Sequence, residues 1–185
     1  MKKIIRKLFA PIALLSLALG VTISINNHHE IGANAASHTM VFDSAGRYQS
    51  NIADGEIAAE RYTLSNTGSA TLSVKFNKNS SGTTSIFNNS AGEIRLYGGS
   101  GNGGQLTFTI TGGLFTGVTV NTSQNGGLSV NGGPMNTNET VSETFIATDT
   151  LTLRNVASGT TQVRMTDITM TYEEGEVVIP EFGNL

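Results

Sequence analysis

Cysteine and tryptophan are absent from this chain of 185 residues, and proline and histidine occur only three times each. Without cysteine the chain can form no disulfide bond and cannot carry a lipid on an N-terminal cysteine, so it must fold on its core alone. Thiol nucleophiles are excluded as well. Two histidines precede the predicted domain, and we expect the third, His38, to lie in a flexible end. Ser-His-Asp triads and histidine-rich zinc sites are therefore not expected.

The first 35 residues have the layout of a secretory signal peptide. Four basic residues are followed by an apolar run from Leu8 to about Ile25, and a polar stretch then ends in Ala33-Asn34-Ala35. We expect cleavage near Ala35 and a secreted, extracellular protein without stable membrane insertion. The alternative is a transmembrane anchor, since about 18 apolar-leaning residues nearly span a bilayer. Proline and polar residues within the run weaken that alternative.

Removal of this segment leaves 150 residues, which suffice for one domain with a full core. They include seven basic and thirteen acidic residues, which give a net charge of −6. Nucleic-acid binding needs clustered positive charge, and anionic membranes attract basic rather than acidic segments. Neither nucleic acid nor an anionic membrane surface is therefore an expected partner.

Short runs of alternating apolar and polar residues predict β-strands through most of these 150 residues. Leu72, Val74 and Phe76 alternate with polar residues, and the same period of two recurs, for example, in 105–111 and 150–154. Turns rich in glycine and asparagine separate the runs, and helix-forming residues are scarce. One face of each strand is therefore expected to be buried and the other to be in contact with solvent.

The spacing of the runs predicts an all-β protein of about nine to eleven short antiparallel strands in a jelly-roll-like β-sandwich, preceded by a signal-peptide helix. We expect a signal peptide over 1–35, an N-terminal segment over 36–58, the sandwich over 59–172 and an acidic tail or linker over 173–185. Within the N-terminal segment, Thr39–Phe42 is the candidate edge strand. The patterns do not distinguish a sandwich from a barrel.

The last predicted strand contains a slip in its alternation. Val163 and Met165 share one parity, whereas the apolar residues from Ile168 onwards share the other. A β-bulge at Thr166-Asp167 would keep both halves facing the core. The alternative is two strands with a turn at Asp167.

Four segments resemble, in their order, a family of small secreted β-sandwich modules found beside extracellular nucleases and in other modular exoproteins of Firmicutes and mollicutes. They are 70–80, 94–99, 104–111 and 163–172, and the last is similar to the ending hydrophobic-x-x-Ile-x-Val-Thr-Tyr. The resemblance implies a carbohydrate-binding-module-like fold and an accessory role, with no catalytic residues to carry over. A further segment, Arg61–Gly68, is similar in sequence to secreted biofilm-fibre proteins. A structural role therefore remains an alternative to ligand binding.

Tyr97, Arg95 and Asn102 are the predicted ligand-binding residues. Tyr97 ends a strand against the loop Gly98–Gly104, which we interpret as a flexible hairpin loop, and Arg95 lies two residues back on the same face. An aromatic ring beside polar groups is suited to a sugar, which has both C–H and hydroxyl groups. The alternative is a solvent-facing pair that covers the sheet. The loop lacks the lysine and the following helix of a phosphate-binding loop.

Tyr62 and Tyr172 fall in predicted strands and are expected to pack in the core. No cofactor is expected. A structural calcium ion is the remaining metal candidate, with Asp149 and Asp167 as its proposed ligands, although no EF-hand-type loop accompanies them.

Three functions follow from these patterns. The preferred one is a secreted non-catalytic module that binds a polysaccharide or cell-surface glycan, because catalytic side chains are scarce and the resemblance implies an accessory role. A self-assembling structural surface or matrix protein is the first alternative, since exposed strand edges can add strands. A polysaccharide hydrolase that uses two carboxylates is the second. The oligomeric state is not predicted.

Overall fold

The structure, a computed structural model, describes residues 30–31, 35–43, 49–83, 85–88, 93–174 and 177–178. About two thirds of these residues lie in strands, and α-helix is absent from these ranges. Accordingly, none of the described segments is a helix long and apolar enough to cross a membrane. The predicted signal-peptide helix, Tyr48 and the last part of the acidic tail lie outside the described residues.

The described strands are numbered in chain order. They are β1 Glu30–Ile31, β2 Ala36–Asp43, β3 Gln49–Ile52, β4 Gly55–Glu56, β5 Thr63–Asn66, β6 Thr71–Asn77, β7 Ser85–Asn88, β8 Glu93–Tyr97, β9 Gln105–Thr111, β10 Leu114–Asn125, β11 Leu128–Val130, β12 Thr140–Thr148, β13 Thr150–Asn155, β14 Gln162–Glu174 and β15 Val177–Val178. A single 3₁₀ turn, Ala59–Arg61, lies between β4 and β5.

The strands form two main antiparallel sheets. Sheet 1 has the order β12-β10-β14-β8-β7-β3, and β2 pairs with both β14 and β5 beside this path. Sheet 2 has the order β11-β13-β9-β6-β4. A small separate ladder joins β1 to β15. The predicted all-β sandwich is confirmed.

Consecutive strands from β8 to β14 alternate between the two sheets. Their spatial orders, β8-β14-β10-β12 in one sheet and β9-β13-β11 in the other, follow the jelly-roll pattern. As a result, every connection between β8 and β14 crosses from one sheet to the other. The connecting segments therefore gather at the two ends of the sandwich, where they can form a surface that neither sheet provides.

The core lies between the sheets and is formed by the alternating apolar residues of both. Phe42 of β2 meets Phe108 of β9 edge to face, with ring centroids 5.2 Å apart, and both side chains are fully buried. Burial of each such ring stabilises the fold by about 1.5–3 kcal/mol relative to an exposed ring. The cluster between the sheets consists of apolar and aromatic side chains, so hydrophobic packing is the main interaction that holds the two sheets face to face.

The predicted bulge at Thr166-Asp167 is present in β14. Asn121 of β10 pairs with Asp167 and its neighbour Thr122 pairs with Met165, so Thr166 is the extra residue on β14. Met165 and Ile168 are consequently both buried. The bulge also separates two partners of β14, because residues 162–165 pair with β8 and residues 168–174 pair with β2.

The N-terminal segment and the start of the acidic tail are parts of the sandwich. The sequence predicts an edge strand over Thr39–Phe42, whereas β2 covers Ala36–Asp43 and lies between β14 and β5. The sequence also predicts a tail from residue 173, whereas Glu173 and Glu174 still pair with β2. β2 and the end of β14 extend the sheet because Met40 and Phe42 are buried on the same face as their partners on β14, from Ile168 onwards. The expected boundaries at 58 and 172 therefore do not delimit the sandwich.

Asn155, the last residue of β13, is fully buried and joins two crossover segments. Its side-chain Nδ2 donates to the backbone oxygens of Leu96 (2.9 Å) and Thr161 (3.1 Å), and its Oδ1 accepts from the Ala157 amide (3.0 Å). Its backbone also bonds both Gly103 and Gly104. One amide side chain therefore binds three backbone groups, and its bonds to Leu96 and Ala157 are buried.

We expect Asn155→Leu to lower the free energy of unfolding by about 2 kcal/mol or more, because the buried Leu96 oxygen and Ala157 amide lose the Asn155 side chain at about 1–3 kcal/mol each. The Thr161 oxygen keeps its bond from the Gly98 amide. Urea unfolding of purified protein measures this change. The exposed Asn138→Leu is the matched control and should change stability by less than about 0.5 kcal/mol. Equal stability of the two variants would show that Asn155 does not hold the crossovers.

Candidate functional site

A surface depression of about 630 Å³ lies at one end of the sandwich, where three segments meet. The segments are 81–83, 97–100 and 158–162. Tyr97 is the aromatic residue of the lining, and it is partly exposed. Among the described residues, the other lining side chains are hydroxyls and one amide, and none is charged. They are Ser81, Thr83, Ser100, Ser158, Thr160 and Gln162.

The loop Gly98–Gly104 is a crossover between sheets, which corrects the prediction of a flexible hairpin loop. It connects β8 of sheet 1 to β9 of sheet 2, and its backbone is hydrogen-bonded at both ends and in the middle. The backbone bonds, all 2.7–2.9 Å, join Gly98 to Thr161, Ser80 to Asn102, Gly103 to Asn155 and Gly104 to Tyr97. Glycine content alone does not reveal these partners, because they come from distant segments.

Gly103 allows the loop to approach two strands closely. A Cβ atom at this position would lie 2.4 Å from the backbone oxygen of Tyr97 and 2.8 Å from that of Asn155. Real Cβ atoms do not come so close to backbone atoms, so a side chain here would displace the loop from Tyr97. The shape of the depression therefore depends on glycine at this position.

Arg95 is bound by Glu93 on its own strand. Its Nη2 and Nε lie 2.8 and 3.1 Å from Glu93 Oε2, and Ser123 donates to the other oxygen. Burial by itself would raise the pKa of Glu93, but the hydrogen bonds from Ser123 and Arg95 and the charges of Arg95 and Arg164 outweigh it and lower the pKa. Glu93 is therefore charged at neutral pH and engages the Arg95 guanidinium.

The side chain of Asn102 is bonded to sheet 2. Its Oδ1 accepts a hydrogen bond from Arg154 Nη1 at 3.1 Å, and its backbone oxygen accepts bonds from Ser80. Among the three predicted ligand-binding residues, only Tyr97 lines the depression. The other two lie next to it but are bonded within the protein.

Arg164 lies beside the depression and is not among the ligand-binding residues predicted from the sequence. It lies on β14, opposite Arg95 of β8, and its Nε donates to Gln162 Oε1 at 2.9 Å. Gln162 lines the depression and lies opposite Tyr97. The spacing within one strand could not indicate this arginine, because its position depends on the register between β8 and β14, which are separated by 64 residues of chain.

The expectation that two other tyrosines pack in the core agrees with their burial. Tyr172 is fully buried, and its hydroxyl donates to Asn66 Oδ1 at 2.6 Å. Tyr62 is 9% exposed and packs against Phe42, with ring centroids 4.8 Å apart. Neither ring can therefore be a platform for a ligand, and Tyr48 lies outside the described residues.

Asp149 and Asp167 lie far apart along sheet 1. Asp149 follows Thr148, which pairs with Phe115 of β10, whereas Asp167 pairs with Asn121 of the same strand. Six residues of β10 separate the two positions, or about 20 Å along the sheet. Within the described ranges, no three acidic or histidine side chains are grouped to hold a metal ion. The two proposed calcium ligands are therefore not brought together.

A second polar cluster surrounds Glu174 at the end of β14. Glu174 Oε1 accepts from the Ser69 amide at 2.5 Å, from the Ala70 amide at 2.7 Å and from the Tyr172 hydroxyl at 3.1 Å. His38, which the sequence analysis places in a flexible end, lies instead in β2 and stacks on Tyr172 at 5.5 Å. Its position follows from the pairing of β2 with β14, which places His38 opposite Tyr172.

The serine, histidine and glutamate of this cluster are not arranged as a catalytic triad. In a triad the histidine lies between the nucleophile and the acid. Here Ser69 Oγ and His38 Nε2 both face Glu174 Oε2, at 3.1 and 3.7 Å, so the carboxylate lies between them. This geometry attaches the 66–70 turn to β14 and provides no path for proton transfer from the serine to the histidine.

Comparisons with known proteins give no relative from which a role could be transferred. No family model, curated protein or solved structure matches the chain significantly. The resemblance to nuclease-associated modules therefore stays a prediction.

We expect the stability of the protein to fall as the pH drops below about 4.5, the ordinary pKa of glutamate. Burial by itself would raise the pKa of Glu174, but the amides of Ala70 and Ser69 and the hydroxyls of Tyr172 and Ser69 outweigh it and lower the pKa. A lowered pKa contributes stability above the unfolded-state value, which is lost as the pH falls through the folded-state value.

Urea unfolding between pH 7 and pH 3 measures this dependence. Glu174→Gln should flatten part of the acid slope, and the exposed Glu139→Gln is the control that should retain it. An unchanged slope in Glu174→Gln would contradict the role given to this carboxylate.

Proposed function

We propose that this chain is a secreted, non-catalytic binding module for a polysaccharide or cell-surface glycan, and that the depression at Tyr97 is its binding site. The observation that carries the proposal is one partly exposed aromatic ring in a depression otherwise lined by hydroxyl and amide groups. Its setting at the end of a jelly-roll, where the crossovers gather, supports the same function.

The chemistry of the lining is suited to a sugar. A tyrosine ring offers an apolar face to the C–H groups of a pyranose, and its hydroxyl remains available to water or ligand. Serine, threonine and glutamine side chains donate and accept hydrogen bonds, as sugar hydroxyls do. Because the lining itself has no charge, binding at the ring would rely on stacking and neutral hydrogen bonds.

The framework of the depression supports a preorganised site. The Gly98–Gly104 loop is attached by backbone hydrogen bonds to β8, β13 and the segment before β14. Rigid loops lose little conformational entropy when a ligand binds, which favours affinity. The hydrogen-bonded loop therefore supports direct binding of a glycan beside Tyr97.

We expect Tyr97→Ala to weaken binding to a retained polysaccharide at least about tenfold, the effect of removing an anchor worth about 1.4 kcal/mol. Tyr97→Phe keeps the ring and should retain most of the affinity. Pull-down of the chain from Ala36 with insoluble polysaccharides and isolated cell walls, with calcium or with EDTA, measures retention. Size-exclusion chromatography of the input identifies any self-association.

The control variant is Thr109→Ala, on the outer face of sheet 2 and opposite Ser73. It should bind as the wild type does. Retention that is the same for Tyr97→Ala and the wild type would place binding elsewhere, and no retention of folded protein by any glycan would contradict the proposed function.

A further inference from the structure

We propose that the glycan bound at Tyr97 carries an anionic group, a carboxylate or a phosphodiester, and that Arg164 binds this group beside the ring. The inference rests on the proposed function and adds the substrate class. The observations concern the outer face of sheet 1, where the paired strands β8 and β14 continue from the depression.

The first observation is a pair of like charges in register. Arg95 of β8 lies directly opposite Arg164 of β14. Like charges opposite each other in an antiparallel pair destabilise the sheet, because their side chains are close. A local conflict of this kind in an otherwise regular sheet is expected where a sequence serves binding rather than stability.

The second observation is the balance of charge. Glu93 is the acidic group that faces both guanidiniums, 2.8 Å from Arg95 Nη2 and 4.0 Å from Arg164 Nη1. The sequence from Thr84 to Gly92, just before this strand, contains no charged residue. One carboxylate therefore compensates for two arginines, which leaves one positive charge on a protein that is acidic overall.

The third observation is that Arg164 retains donors for a ligand. Its side chain is 33% exposed, compared with 18% for Arg95, and its contact with Glu93 is at the limit of an ion pair. Gln162 Oε1 accepts from its Nε at 2.9 Å, which directs the guanidinium along the face shared with Tyr97. A guanidinium in this setting can donate two parallel hydrogen bonds to a carboxylate or phosphate.

Arg164 and Tyr97 are close enough to bind two neighbouring groups of the same ligand. Tyr97 lies opposite Gln162, so Arg164 is its diagonal neighbour across the two strands. Such neighbours are about 7–8 Å apart. A sugar stacked on the ring would therefore place a substituent, or the next unit of the chain, within reach of the guanidinium.

The test compares polygalacturonate, which supplies carboxylates, with its fully methyl-esterified form, which is the neutral counterpart on the same backbone. Poly(glycerol phosphate) supplies phosphodiesters on a backbone without sugar rings. We expect the wild type to bind at least one anionic polymer at least tenfold more tightly than the neutral ester, and 1 M NaCl should remove that preference. The carboxylate and phosphodiester arms then identify which anion is bound.

Arg164→Gln should lose the tenfold preference and keep the weaker binding to the neutral ester. Lys75→Gln, which removes one positive charge from the outer face of sheet 2, is the matched control and should keep the preference. Thermal unfolding verifies that both variants fold, and the salt dependence of the wild type tests the proposal independently of either variant.

Three outcomes would overturn the inference. Equal binding of charged and neutral polymers, or an undiminished preference in Arg164→Gln, would refute the anionic site while the proposed glycan-binding function stands. Absence of binding to every polymer and cell-wall preparation by folded wild type would refute the proposed function itself, and the inference with it.

Discussion

The buried side chain of Asn155 is the interaction on which both the fold and the candidate site depend. A jelly-roll whose strands alternate between sheets must satisfy the backbone groups of every crossover, and two crossovers of this protein meet at one amide. Through its own backbone the same residue holds Gly103 and Gly104, and Gly104 in turn bonds the backbone of Tyr97. The position of the partly exposed Tyr97 ring therefore depends on a buried polar side chain.

The sequence predicts most of the sheet structure, because alternation records which face of a strand is buried. Even the bulge in β14 is visible, since Met165 and Ile168 can both be buried only if an extra residue separates them. The partners of a strand are not visible in this way. The cross-strand pair of Arg95 with Arg164 and the burial of Asn155 depend on register and on the crossing of sheets, which a period of two does not encode.

The edges of the described sheets give little support to assembly by strand addition. The strands β3, β4, β5 and β11 at the edges have four residues or fewer. The longer edge strand β12 shifts its register with β10 between Phe115 and Gly117. Short and bulged edges are common devices against edge-to-edge pairing. If the protein self-assembled as a structural protein, the exposed Ile146 on β12 would be the apolar contact available for it at this edge.

The pairing of β14 has a consequence for the order in which the protein folds. Ile168 pairs with Phe42, which lies 126 residues earlier in the chain, and on its other side β14 pairs with β10. Sheet 1 therefore cannot close until residues 162–174 have emerged from the ribosome. Contacts between such distant parts of the chain form slowly. A chain that stays open until its last long strand arrives is compatible with the proposed secretion, because an unfolded chain can be threaded through a narrow channel.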